Sequence, residues 1–139
     1  MSQLTRLPDW PERLSHIIDA ARTKPFVWGE HDCCLFAMDC VQAMTGVDLA
    51  APYRGYKGKK QGFMVLKEHG GVKGIAEAVA QKFNIAEIDP AFAGRGDVCL
   101  FNIGQGDSLG IRAGEWIYAP GINAIAAMRL SLAKRAWRI

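Results

Sequence analysis

The residues best suited to chemistry lie in the segment 28–37, where two adjacent cysteines follow an aspartate. Asp32 is a good N-cap, and the pattern predicts a helix from Cys33 to about Thr45 that ends at Gly46. A thiol in the first turn of a helix meets unpaired amide donors and the positive end of the helix dipole, which stabilise its thiolate. Cys33 is therefore a candidate nucleophile, although free cysteines are more often small buried hydrophobic residues.

A nucleophilic thiol also needs a base, and the chain contains three histidines. His31 lies two residues before Cys33, so it is the candidate base of an active enzyme, with Asp32 or Glu30 as the acceptor that orients it. The alternative is that these polar side chains hydrogen-bond the loop backbone and hold Trp28 against the core. The other two histidines fall in predicted helices, where structural roles explain them: His16 and His69.

The cysteines and histidines do not follow the spacing of a metal site. The chain has four cysteines but no Cys-x-x-Cys pair, and the adjacent Cys33 and Cys34 are poorly placed to share one tetrahedral ion. Cys99 is far away in sequence. Gly104-x-Gly106 is typical of a hairpin turn, because no helix follows it. We therefore expect neither a metal nor a cofactor.

Composition favours one globular domain spanning residues 1–139. Half of the residues are apolar, 22% are charged, and the net charge is +3. Basic residues cluster in the loop from Arg54 to Lys60 and near the C-terminus, but without the interleaved aromatic residues of a nucleic-acid platform. No apolar run is long enough for a membrane span, and the N-terminus does not resemble a signal peptide. We expect a chain made in a cytoplasm, with reduced cysteines.

The elements that must position Cys33 change in type along the chain. Residues from about 9 to 84 show helical spacing, and residues from about 95 to 139 form short runs separated by glycines, so the order predicts an α+β fold. Asp9 and Glu12 form a capping-box pattern for the first helix. Besides the helix at Cys33, the predicted helices are Trp10 to Thr23, Lys59 to His69 and Val72 to Phe83. The predicted strands of an antiparallel meander are Asp97 to Asn102, Ser108 to Ala113, Glu115 to Ala119, Ile122 to Met128 and Ala136 to Ile139.

Three short segments carry a resemblance to a known family. Residues 32–36 (DCCLF), 96–101 (GDVCLF) and 109–111 (LGI) resemble the nucleophile motif and two strands of the NlpC-type papain-like cell-wall peptidases. Nearly the whole chain also resembles a group of short phage-encoded domains of unknown function, through residues 25–33 (PFVWGEHDC) and 135–138 (RAWR). These resemblances imply a papain-like fold, with N-terminal helices packed on a C-terminal antiparallel sheet.

The same comparison reveals a departure. It puts Ser108 where the peptidases have their catalytic histidine, and Tyr118 near their orienting position. A serine cannot accept the thiol proton or form an ion pair as an imidazole does. The resemblance therefore implies a papain-like protein whose hydrolase function is lost or reduced.

Two functions remain open. The first is a structural or assembly protein near a phage tail tip, made in the host cytoplasm and then part of the virion, with tail hub and central-fibre proteins as the implied partners. The second is an active cysteine peptidase or amidase that cuts peptidoglycan stem peptides through Cys33. A binding role further predicts that large groups such as Trp10, Trp116 or Trp137 are exposed or covered by another chain.

Overall fold

Four helices come first in the chain and a sheet of six strands follows, in a computed structural model that describes residues 3–139. The helices are α1 (Trp10–Ala21), α2 (Leu35–Thr45), α3 (Gly58–Glu68) and α4 (Gly71–Lys82). The strands are β1 (Glu87–Ile88), β2 (Val98–Asn102), β3 (Asp107–Ala113), β4 (Trp116–Pro120), β5 (Ile125–Arg129) and β6 (Ala133–Trp137). The predicted α+β fold is confirmed, with N-terminal helices and a C-terminal antiparallel sheet.

The sheet differs from a simple meander in its strand order, which is β1-β6-β2-β3-β4-β5. The expected meander holds from β2 to β5, but β6 returns to the other side of β2 and pairs with it antiparallel. The last strand begins at Ala133 and not at the predicted Ala136. The two-residue strand β1, which the sequence did not indicate, pairs with β6 through Glu87 and Ile88. β5 is consequently an edge of the sheet.

Helix α1 begins where it was predicted, but its cap is different. Leu14, Ile18 and Ala21 are buried at helical spacing. The expected capping box is wrong, because the Asp9 side chain makes no capping hydrogen bond. It instead accepts a hydrogen bond from Arg13 Nε at 2.8 Å. A guanidinium one turn along the helix is a stronger donor to a carboxylate than a backbone amide.

Alternation along the strands gives the sheet two apolar faces. Leu100, Leu109 and Ile111 face the helices and join a large core with Phe36 and other residues of α2. The opposite face carries a smaller core, built mainly from Cys99, Phe101, Ile117, Ala119 and Ala136. Helix α2 is buried almost all round, because it lies between α1 and the sheet.

A buried aspartate ties the two ends of the described chain together. Asp97, which is fully buried, accepts hydrogen bonds from Arg6 Nη2 at 3.2 Å and from the backbone amide of Ile139 at 3.0 Å. Arg6 also donates to the carbonyls of Ile139 and Arg95. No helix within residues 3–139 is long and apolar enough to cross a membrane.

Candidate functional site

The turn before α2 places the cysteines differently from the prediction. The helix begins at Leu35, so Cys33 and Cys34 lie in a turn ahead of it and the predicted start at Cys33 is wrong by two residues. Asp32 still caps the helix, because its Oδ1 accepts from the amides of Cys34 at 3.1 Å and Leu35 at 2.9 Å. The backbone of Cys34, with φ −125°, is not yet helical. Cys33 therefore lies outside the first helical turn.

Both oxygens of the Asp32 carboxylate accept hydrogen bonds from the residues that surround it. Its side chain is 0% exposed. Besides the two amides at the start of α2, its Oδ2 accepts from the amide of Gly29 at 2.9 Å and from the hydroxyl of Tyr56. None of the hydrogen bonds described in the structure joins Asp32 to an imidazole. Asp32 thus fastens the loop, as the structural alternative predicted.

Gly29 and Trp28 complete this loop. Gly29 has φ +88°, and a Cβ at this position would lie 2.2 Å from the backbone oxygen of Tyr56, so only glycine fits. The Trp28 ring lies between Phe26 and Phe63, with ring centroids 5.1 Å and 5.2 Å away. These contacts fix the chain on its way to Cys33.

The loop enters the sheet where two strands separate. β3 and β4 pair from Ile111 to Ala113 on the β3 side. Beyond that point the Leu109 amide donates to the carbonyl of Cys33 at 2.8 Å, and the Phe26 amide donates to the carbonyl of Ile122 at 3.1 Å. The backbone of the cysteine turn thus takes the place of a neighbouring strand beside β3.

This separation opens a cleft of about 470 Å³ that Cys33 and Ser108 both line. Ser108 is opposite Phe101 in the β2–β3 register, on the face of the smaller core. Tyr118 is opposite Ile111 and packs against the large core, on the other face of the sheet. Of the two positions that the peptidase resemblance assigns to histidines, only Ser108 therefore shares the cleft with Cys33.

The surroundings of Cys33 favour its neutral thiol. Burial, and then the negative charge of Asp32, raise the pKa of this thiol to about 12, although a hydrogen bond from its own backbone acts in the opposite direction. The expected thiolate stabilisation is wrong for a physical reason. The helix starts two residues later, and Asp32 already occupies the amides of Cys34 and Leu35.

The histidines lie elsewhere, and none of those in residues 3–139 lines the cleft. His31 is buried, with its ring edge-on to Phe36 at 5.2 Å and its Nε2 without a hydrogen-bond partner in the described chain. Burial, followed by the charge of Lys24, lowers the pKa of His31. His16 is exposed on α1, and His69 ends α3 against Tyr53. No hydrogen bond in the described structure joins an imidazole to the Cys33 thiol.

The remaining cysteines are free and buried: Cys34, Cys40 and Cys99. Burial raises the pKa of each of these thiols, that of Cys99 to about 12. Within residues 3–139, no three His, Cys, Asp or Glu side chains form a group that could hold a metal ion.

The basic loop divides into a structural and an exposed part. Arg54 donates to Asp39 at 2.6 Å and to Asp48 at 2.9 Å, so its charge is already neutralised. The other basic residues of the loop are exposed and form no ion pair within the described chain: Lys57, Lys59 and Lys60. Sequence reasoning missed the Arg54 network, since Asp39 and Asp48 lie in α2 and the following loop and show no pattern that points to Arg54.

Exposed apolar residues on the cleft wall were also missed. A binding role predicted that Trp10, Trp116 and Trp137 would be exposed or covered by another chain. Of these three, Trp116 is exposed, Trp10 is half-buried and Trp137 is buried. The exposed apolar residues that line the cleft are Phe63, Ile103 and Ile122. For Ile103 and Ile122, the available signal was an apolar residue beside a glycine in a loop.

Comparison with known proteins adds the family. No curated protein matches the chain. A family model described as a domain of unknown function, DUF6950, matches residues 5–139. Because this match spans nearly all of the sequence, the chain belongs to the DUF6950 family.

Proposed function

We propose that this chain is a phage tail-tip-associated structural or assembly protein, built on a papain-like NlpC-type scaffold that has lost its peptidase activity. The observation that carries the proposal is the pairing of Cys33 with Ser108 in one cleft. A cysteine turn and a strand serine that line one cleft have the layout expected of a peptidase site without its base. The raised pKa of Cys33 agrees with this interpretation.

The segments that carry the phage resemblance have clear structural roles. In the first segment, Gly29 and Asp32 fasten the loop before α2. In the second, Arg135 forms ion pairs with Glu77 at 3.3 Å and Glu87 at 2.6 Å, and Trp137 is buried. Because these contacts are structural, the resemblance in the two segments supports a shared scaffold without requiring catalysis. The proposed location in the phage tail rests on the resemblance to phage-encoded domains.

Restoring the missing base tests the scaffold. In Ser108→His, we expect an imidazole to face Cys33 across the cleft and to lower the pKa of the thiol, so that iodoacetamide labels Cys33 at least roughly tenfold faster at neutral pH. The control Ser131→His changes an exposed serine between β5 and β6 and should leave the rate unchanged. An equal rate in both variants would count against the papain-like arrangement.

The alternative function is tested with the unaltered protein. An active peptidase or amidase would release fragments from purified peptidoglycan stem peptides, and Cys33→Ser and His31→Ala would abolish the release. We expect no release above that of the Cys33→Ser protein, measured by mass spectrometry. Turnover that depends on Cys33 would overturn the loss of activity.

The tail location needs a separate experiment. Gold-labelled antibodies raised against the chain should bind at one end of the tail in purified particles of the phage that encodes it. Labelling of the capsid only, or chain found in the lysate but absent from particles, would contradict the tail assignment.

A further inference from the structure

The cleft that contains Cys33 has an apolar rim. Phe63 from α3 is 52% exposed, Ile103 from the β2–β3 turn is 56% exposed, and Ile122 from the β4–β5 turn is 82% exposed. They come from three different elements yet line one opening, with Trp28 among the other lining residues. A group of large apolar side chains around a concave surface is typical of a binding site.

Two lysines beside this rim carry positive charges that no ion pair within residues 3–139 neutralises. Lys59 Nζ lies 5.5 Å from the centre of the Phe63 ring, and Lys60 is three residues before Phe63 on the same helix, so both sit next to the opening. Neither lysine forms an ion pair in the part of the chain that the structure describes. Asp107, an acidic residue on the cleft wall, is already paired with Lys134 at 3.2 Å. The rim thus complements an anionic group.

The dimensions restrict what enters. A volume of about 470 Å³ accommodates one or two large side chains and not a folded domain. Two of the glycines that line the cleft, Gly71 and Gly106, would carry a Cβ into open space, so they leave room for another backbone to approach. An extended segment of chain fits this shape.

We propose that the cleft binds an extended segment of another protein, in which a large apolar side chain is flanked by aspartate or glutamate. The apolar side chain enters between Phe63 and Ile122, and the carboxylates meet Lys59 and Lys60. This inference rests on the proposed function, because a bound segment must stay intact beside Cys33. Peptidoglycan stem peptides supply carboxylates but no large apolar side chain, so they would leave the apolar rim uncovered.

A random peptide library displayed on yeast tests the proposal with the intact chain as bait. Peptides with Phe, Trp, Leu or Ile next to Asp or Glu should be enriched. The affinity of the most enriched peptide, synthesised with a fluorescent label, is then measured by fluorescence polarisation. We expect Ile122→Ser and Lys59→Glu each to weaken binding at least roughly tenfold.

Matched controls lie outside the cleft. Phe92 is 72% exposed but does not line the cleft, so Phe92→Ser should leave the affinity unchanged. Lys82 lies 5.5 Å from the Phe83 ring, the same arrangement as Lys59 with Phe63, so Lys82→Glu controls for loss of an exposed lysine. Circular dichroism of each variant verifies that it is folded.

The outcomes separate this inference from the proposed function. Enrichment of neutral or basic peptides, binding that Ile122→Ser leaves unchanged, or displacement of the peptide by stem peptides would overturn the inference. None of these results would by itself reveal hydrolysis. Binding followed by Cys33-dependent cleavage of the peptide would instead contradict the loss of peptidase activity.

Discussion

Asp32 is the residue on which the geometry of the site depends. Its buried carboxylate accepts from the amides of Gly29, Cys34 and Leu35 and from the hydroxyl of Tyr56. Each donor loses its partner if the carboxylate is removed, and a buried unpaired donor is costly. The Asp32 side chain therefore contributes more to the free energy of unfolding than a helix cap alone would.

We expect Asp32→Ala to lower the free energy of unfolding by about 3 kcal/mol, because several buried donors lose their acceptor at once. Tyr56→Phe, which removes only one donor, should lower it by about 1 kcal/mol. Urea unfolding followed by circular dichroism measures both. Equal losses in the two variants would contradict the shared role of the carboxylate.

At the level of elements, the loop from Phe26 to Cys33 is shaped by a close approach of backbones. Gly29 and Gly55 both have positive φ, but only at Gly29 would a Cβ meet another backbone, the oxygen of Tyr56 at 2.2 Å. A Cβ at Gly55 would meet open space. A substitution at Gly55 therefore causes backbone strain alone, whereas a substitution at Gly29 causes both strain and a steric clash.

We therefore expect Gly55→Ala to lower the free energy of unfolding by about 1 kcal/mol through strain alone. Gly29→Ala should lower it by clearly more, because the loop must also move away from Tyr56. Thermal unfolding of the two variants side by side gives the comparison. Identical unfolding temperatures would show that the close approach of Gly29 to Tyr56 does not constrain the loop.

The elements also show what sequence reasoning can reach. Helices α1, α3 and α4 and strands β2 to β5 were predicted to within about three residues at their ends, because apolar spacing and glycine breaks are local signals. The position of β6 beside β2 depends on packing between distant segments, which local patterns do not encode. The start of α2 was placed too early, since Asp32 can cap amides two and three residues ahead while Cys34 stays non-helical.

The candidate site was only partly predictable for the same reason. Cys33 was singled out by its predicted position at a helix start and Ser108 by the resemblance, and the structure brings both to one cleft. The face on which Tyr118 lies follows from the β3–β4 register, and the burial of His31 follows from the packing of its loop. Neither can be inferred from spacing along the chain.

At the scale of the whole molecule, Arg6 joins the N-terminal segment to the last strand region. It donates to Ile139, Arg95 and Asp97, and Asp97 is buried. We expect Arg6→Ala to lower the free energy of unfolding by about 2 kcal/mol, because buried acceptors lose a charged donor. Urea unfolding measures the loss.

Arg13 supplies the control for this prediction. Its ion pair with Asp9 is exposed on both sides, so Arg13→Ala should change the free energy of unfolding by less than about 0.5 kcal/mol. A loss in Arg6→Ala no larger than that in Arg13→Ala would show that Arg6 does not join the ends of the chain energetically.

Without an imidazole to activate it, the Cys33 thiol should show the pH dependence of a buried, unassisted thiol when it is alkylated. Only the thiolate reacts, and a pKa raised to about 12 leaves little thiolate at neutral pH. Labelling by iodoacetamide, followed at Cys33 by peptide mass spectrometry, should be slow near neutral pH and rise about tenfold per pH unit up to about pH 10 without a plateau. Fast labelling that levels off below about pH 8 and is lost in His31→Ala would instead show that His31 activates the thiol.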